Sequence, residues 1–182
     1  MKVFIIHGSY GKANSNWFPW LKTELEKRGH TVFLPQFPIG IDKQNLTSWL
    51  KIIEKYKKDL DGAVFFGHSL SPAFILYLLE TYKAKACFFV SGFLDFLDNK
   101  EYDTVNSTFI THKFNWKKIN ENCSKFFAYY GDNDPYVPQE SLSKFVKLVG
   151  VKPLIIKNGG HLNSETNYNE FPQLLNDFRT IE

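Results

Sequence analysis

Five residues, Gly67-His68-Ser69-Leu70-Ser71, join an apolar run at 62–66 to a second apolar stretch that begins at Pro72. A serine carried on a sharp strand-to-helix turn exposes its hydroxyl as a nucleophile. The turn closes only if the residues two places to either side are small enough for strand and helix to approach. Gly67 meets that need, and Ser71, where such turns usually carry glycine, is the next smallest polar residue.

A serine nucleophile needs a base to take its proton and a carboxylate to orient that base. Downstream, an apolar run ends in Gly131-Asp132-Asn133-Asp134-Pro135, so either Asp132 or Asp134 can face the serine. Asp134 is favoured because Pro135 fixes the turn behind it, whereas Asp132 follows Gly131 closely and is expected to hydrogen-bond the turn itself. Further on, Asn158-Gly159-Gly160-His161 offers an imidazole on a flexible turn. The order Ser69, Asp134, His161 is nucleophile, acid, histidine, the order of α/β-hydrolases. Such chemistry also requires two backbone N–H groups aimed at the developing oxyanion. One is expected from Leu70, just after the nucleophile, and the other from the loop His7-Gly8-Ser9-Tyr10-Gly11, with Ser9 favoured and Tyr10 the alternative.

Apolar runs suited to strands occur at 3–6, 31–34, 63–66, 86–90, 126–130 and 153–156, each continuous enough for burial on both faces. Helical periodicity fills 17–27, 46–56, 72–82, 141–148 and 171–178 between them. Alternation of this kind predicts one α/β domain over residues 1–182, a compact six-stranded parallel sheet with helices on both faces in a three-layer sandwich. Residues 91–122 resist the pattern, with Phe93, Leu94, Phe96, Phe109 and Trp116 among polar residues and no single period. They read as an excursion above the sheet, either a lid-like wall of the acyl pocket or an irregular helix pair packed on the core. Phe93, with Tyr10 and Tyr136, is a candidate for contact with substrate.

The chain has 182 residues, with 22 basic against 19 acidic side chains and a formal charge of +3 without a basic tail, which argues against nucleic acid as a partner. The basic residues of 51–58 alternate with Ile52, Ile53 and Tyr56 and fit the wet side of an amphipathic helix. Two cysteines, Cys87 and Cys123, do not make a disulfide framework. The apolar run at 3–6 is too short for a signal peptide or a membrane span, so a cytoplasmic protein is expected. His7 and His68 read as structural, and with no Cys/His cluster or Gly-rich Lys-Ser/Thr loop neither metal nor cofactor is expected.

The set His7-Gly8, Asn16 to Leu21, Gly29-His30, Pro35, Phe37-Pro38, Gly67-His68-Ser69, Asp134-Pro135 and Gly160 to Asn163 resembles the small serine hydrolases related to retinoblastoma-binding protein 9 and YdeN. The likeness spans nearly the whole chain. It implies an α/β-hydrolase with a Ser69, Asp134, His161 triad acting on small esters or amides through an acyl-enzyme, and it places Trp17 and Trp20 in the first helix. Two departures stand out: Ser71 replaces the usual glycine, and the Leu-x-Cys-x-Glu motif for retinoblastoma-protein binding is absent around Cys87 and Cys123. The alternatives are an acyltransferase using the same triad and a catalytically silent interaction module on the same fold. Nothing in the sequence separates a monomer from a weak dimer.

Overall fold

The computed structural model describes residues 1–182. Its centre is a six-stranded sheet, β1 (Lys2–Ile6), β2 (Thr31–Phe33), β3 (Ala63–His68), β4 (Ala84–Val90), β5 (Phe126–Gly131) and β6 (Leu154–Ile156), in the order β2-β1-β3-β4-β5-β6. Every neighbouring pair is parallel. The helices are α1 (Phe18–Glu26), α2 (Leu46–Ile53), α3 (Lys57–Leu60), α4 (Ser71–Leu78), α5 (Lys100–Ile110), α6 (Trp116–Asn122), α7 (Gln139–Val149) and α8 (Pro172–Arg179).

Side-chain alternation along the strands sorts the apolar residues into two cores. Val3, Ile5, Val64, Phe66, Phe88 and Val90 face a layer built from α1 and α8, with Trp17, Leu21, Leu174 and Phe178 among its members. Phe4, Ile6, Phe65, Cys87 and Phe89 face the opposite layer, which takes Trp49 from α2, Phe74 from α4, Phe109 from α5, Ile119 from α6 and Phe145 from α7. Register turns this alternation into aromatic stacks. Phe66 lies opposite Phe88 and Phe88 opposite Phe127 on adjacent strands, and both ring pairs stack with centroids 4.4 Å apart. The helix α4 is buried on almost every side, and beyond Ser71 its sequence is apolar.

Both-face burial fails at the two edge strands: in β2 Thr31 is exposed and Phe33 half-buried, and β6 departs further. β6 is an edge, and Leu154 and Ile155 are 44% and 53% exposed, because no seventh strand and no helix covers that side. The basic 51–58 segment runs through α2 into α3, broken by a short 3-10 turn, with Ile53 and Leu60 buried and Lys51, Lys55, Lys57 and Lys58 exposed. Residues 91–122 contain two regular helices, α5 and α6. They are fixed to the body by Phe109 against Trp49, with centroids 4.9 Å apart, and by Glu80, which takes the backbone N–H of Asn115 at 2.7 Å and pairs with His112 at 3.1 Å. The cysteines, distant in sequence, are buried neighbours with sulfurs 3.8 Å apart. No helix is long and apolar enough to cross a membrane.

Candidate active site

Three of the four interior strands, β1, β3 and β5, each end in a loop on the same side of the sheet, as parallel connection requires, and these loops meet over one cavity of about 320 Å³. Its lining includes Ser9, Tyr10, Ser69, Phe93, Tyr136 and His161. Leu70 and the Asp134 side chain lie behind that surface, fully buried.

Ser69 sits between β3 and α4 with φ of +63°, a left-handed conformation that costs a non-glycine residue roughly 1–2 kcal/mol. The strain is held by Ser71. Its hydroxyl accepts the backbone N–H of His68 at 2.7 Å and donates to the carbonyl of Ile6 at 2.7 Å. Backbone pairing of β1 with β3 stops at Ile6 and Gly67, so the Ser71 hydroxyl adds a rung beyond the last register pair. A glycine there would leave two buried backbone groups without that partner.

The end of β5 grips the histidine loop with three consecutive side chains. Asp132 accepts the N–H of Asn158 and Asn133 that of Gly160, both at 2.7 Å, and Asp134 Oδ2 accepts His161 Nδ1–H, also at 2.7 Å. Asp132 therefore bonds the neighbouring loop rather than its own turn. It is Asp134 that ties the turn, through Oδ1, to the N–H groups of Tyr136 and Val137 at 2.9 and 3.0 Å. Burial alone would raise the Asp134 pKa, but the His161 hydrogen bond and charge, with the two backbone donors, outweigh it and hold the carboxyl below its ordinary range. With Nδ1 occupied, Nε2 is the imidazole nitrogen left for Ser69. No hydrogen bond joins Nε2 to the Ser69 hydroxyl; such contacts often tighten only when substrate binds.

Other groups hold the histidine from behind. The carbonyl of His161 accepts from His68 Nε2 at 2.8 Å, and that of Leu162 accepts from the Trp17 indole at 3.2 Å. Trp17 thus fixes this loop as well as filling the core. Burial first, and then the neighbouring His161, push the His68 pKa down from 6.5 to about 3, so the ring is neutral and a dedicated donor. Because the unfolded chain binds a proton at His68 that the folded chain refuses, stability is full above pH 6.5 and falls as pH drops from there toward about 3. The expected slope is about 1.4 kcal/mol per pH unit. His7, also lowered by burial, adds to it in the same sense. Urea unfolding between pH 7.5 and 4.5 measures this, and a His68→Gln variant is expected to show a flatter profile; identical profiles would refute the assignment.

In the first loop His7 is 1% exposed, and its Nε2 accepts the N–H of Phe37 at 3.0 Å. That leaves Nδ1–H to donate to the carbonyl of Gly8 at 2.8 Å, which the N–H of Gly11 also reaches at 3.1 Å. In a trans peptide the next N–H points opposite the carbonyl, so this pair of donors sets the direction of Ser9 N–H. The N–H of Tyr10 is taken by Gln44 Oε1 at 3.0 Å, while those of Ser9 and Leu70 have no acceptor within the chain. Gly8 lies against Ser69, since a Cβ on it would come within 2.6 Å of the Ser69 Cβ. At the cavity mouth Tyr136 donates to Glu165 at 2.7 Å and packs edge-on to the His161 ring. The hydrogen bond to Glu165 pushes its phenol up to about 12, which makes it a neutral donor rather than a base. The reading of His7 and His68 as structural fits these bonds, whereas sequence reasoning missed the holding roles of Asn133, Trp17 and Gln44; the run of three acceptors at 132–134 was the one local signal available.

A family model described as Serine hydrolase matches residues 3–180. The chain is 24% identical to YdeN of Bacillus subtilis (strain 168) over 176 residues, which cover 94% of this chain and 90% of that protein. The crystal structure of the ydeN gene product matches with a TM-score of 0.87 at 24% identity, over 99% of this chain and 97% of that one. An extracellular α/β-hydrolase from a Paenibacillus species matches with a TM-score of 0.69 at 18% identity, over 96% and 97% of the two chains. A structure from a study of carboxylesterases of the thaumarchaeon Nitrososphaera gargenis matches at 0.70 and 11%, over 99% and 90%. These likenesses establish the α/β-hydrolase fold.

Proposed function

Because this chain belongs to the serine hydrolase family, we propose that it cleaves a small ester or amide through an acyl-enzyme, with Ser69 as nucleophile, His161 as base and Asp134 as the orienting acid. The observation that carries the proposal is the 2.7 Å bond from a buried, ionised Asp134 to Nδ1 of His161, which lines the same cavity as Ser69. Ser69 Oγ attacks the carbonyl carbon as its proton passes to His161 Nε2. The imidazolium then protonates the leaving alkoxide or amine, and water, activated by the same nitrogen, releases the acid. Asp134 stays ionised throughout, holding the tautomer whose Nε2 is free to accept. The N–H groups of Ser9 and Leu70 receive the oxyanion. Tyr10 is set aside as the second donor because its N–H is already spent on Gln44.

Phe93 and Tyr136, which line the cavity with Tyr10, would form the walls for the acyl or leaving group. Residues 1–182 act here as one domain, a reading supported by α8, whose Leu174 and Phe178 share a core with Leu21 and Leu25 of α1. A fluorophosphonate probe tests the proposal. The native protein is expected to label with one equivalent, mapped by mass spectrometry to Ser69, and to release free acid from p-nitrophenyl acetate. Labelling elsewhere, or acyl transfer to added alcohols in preference to water, would overturn it.

A further inference from the structure

We infer that Asn106, on α5, and Gln44 are positioning residues that set the geometry of the Ser9 oxyanion donor. The inference rests on the serine hydrolase reading above and adds to it a role for the 91–122 excursion. Asn106 is fully buried, and its Oδ1 accepts from the Ser9 hydroxyl at 2.6 Å and from Gln44 Nε2 at 3.0 Å. Gln44, 2% exposed, accepts the N–H of Tyr10 through Oε1 at 3.0 Å. The direction of this relay is fixed by its first member. A backbone N–H can only donate, so the Gln44 oxygen must face Tyr10 and its NH₂ must face Asn106; Asn106 must therefore present oxygen, which accepts the Ser9 proton as well.

That orientation leaves Asn106 Nδ2 buried with no partner. An unpaired buried donor is unfavourable, and a leucine of similar size would fill the same space without it. What the amide supplies is a pair of anchors on the far side of the peptide whose carbonyl is held by His7 and Gly11. The Gly8–Ser9 peptide is thus pinned from both ends, one of them by a helix 97 residues away in sequence. Leu46 N–H, bonded to Thr108 of the same helix at 2.9 Å, ties the Gln44 segment to α5 as well.

Asn106→Leu, Gln44→Met and the double variant, assayed with p-nitrophenyl acetate and p-nitrophenyl butyrate, test the inference. Losing one oxyanion donor costs about 10²- to 10³-fold, so misaiming it is expected to lower kcat by roughly 10- to 100-fold with KM within about threefold. The double variant is expected to be no slower than the slower single one, because the two amides act as one device. Affinity for a boronic acid, which forms a tetrahedral anion on Ser69, is expected to fall with kcat. Effects that multiply, a raised KM at unchanged kcat, or kcat that tracks only the folded fraction seen by circular dichroism would overturn the inference. If Asn106→Leu does not fold, Gln44→Met, in a loop, tests the same relay through its other member. Native protein that labels at Ser69 while the variants keep full kcat sinks this inference alone; native protein that does not label there sinks the hydrolase reading itself.

Discussion

Replacing Asp134 by asparagine is expected to lower kcat by about 10⁴-fold while leaving the fold in place, because it installs the wrong histidine tautomer. Two backbone donors decide this. Tyr136 and Val137 N–H both bond Asp134 Oδ1, so the amide oxygen of an asparagine must take that position and its NH₂ must face His161 Nδ1. Nδ1 then accepts, the ring proton moves to Nε2, and the nitrogen that should receive the Ser69 proton already carries one. Ser69→Ala removes the nucleophile and is expected to cost on the order of 10⁶-fold, and adding Asp134→Asn to it should cost nothing more. Steady-state hydrolysis of p-nitrophenyl acetate and the ¹⁵N shifts of His161 check both parts. Activity of Asp134→Asn within tenfold of the native chain would remove Asp134 from the orienting role.

The sheet was legible because each strand announces itself locally: the four apolar runs that become interior strands are largely buried, and the structured segments begin and end within a few residues of the periodic ones. β6 misled because an edge strand and a central one share a composition, and only the sheet order exposes Leu154 and Ile155. The residues that meet around the cavity were legible for a related reason. Ser69, Asp134 and His161 each follow a strand, and the ends of parallel strands must converge.

What holds those residues was not legible, because it consists of hydrogen bonds from side chains to segments far apart in sequence. Asn133 reaches Gly160, Trp17 reaches Leu162, and Asn106 reaches Ser9, and nothing local to an asparagine or tryptophan names such a partner. Ser71 shows the same limit. From composition it is a slightly oversized residue in a tight turn. In the fold its hydroxyl is fully satisfied between Ile6 and His68, and the extra atom becomes the bond that joins β1 to the turn. The irregular pattern of 91–122 has a similar source: α5 serves two masters, with Val105 and Phe109 packing inward and Asn106 directed to the first loop.

Gly131 is where this arrangement tolerates least change, and Gly131→Ala is expected to lower kcat/KM by about 10²-fold or more. A Cβ on Gly131 would lie 2.7 Å from the nitrogen and closer still to the oxygen of Gly160, and 2.9 Å from the Gly159 carbonyl carbon. These are backbone atoms, so no rotamer change relieves the clash; β5 and the histidine loop must separate. Separation pulls at the Asn133 bond to Gly160 and, one residue on, at the Asp134 bond to His161. Misplacing a catalytic group by about 1 Å is enough for a loss of that size, and the crowding adds about 1–3 kcal/mol of destabilisation. Gly150→Ala is the matched control. Gly150 caps α7 at φ of +73° with no atom within 4 Å of its would-be Cβ, so alanine there costs stability through backbone strain alone and leaves kcat/KM unchanged. Thermal unfolding and ester hydrolysis measured on both variants separate the two effects. Gly131→Ala with native turnover would mean that the histidine loop moves independently of β5, and that the three-residue grip at 132–134 does not set the position of His161.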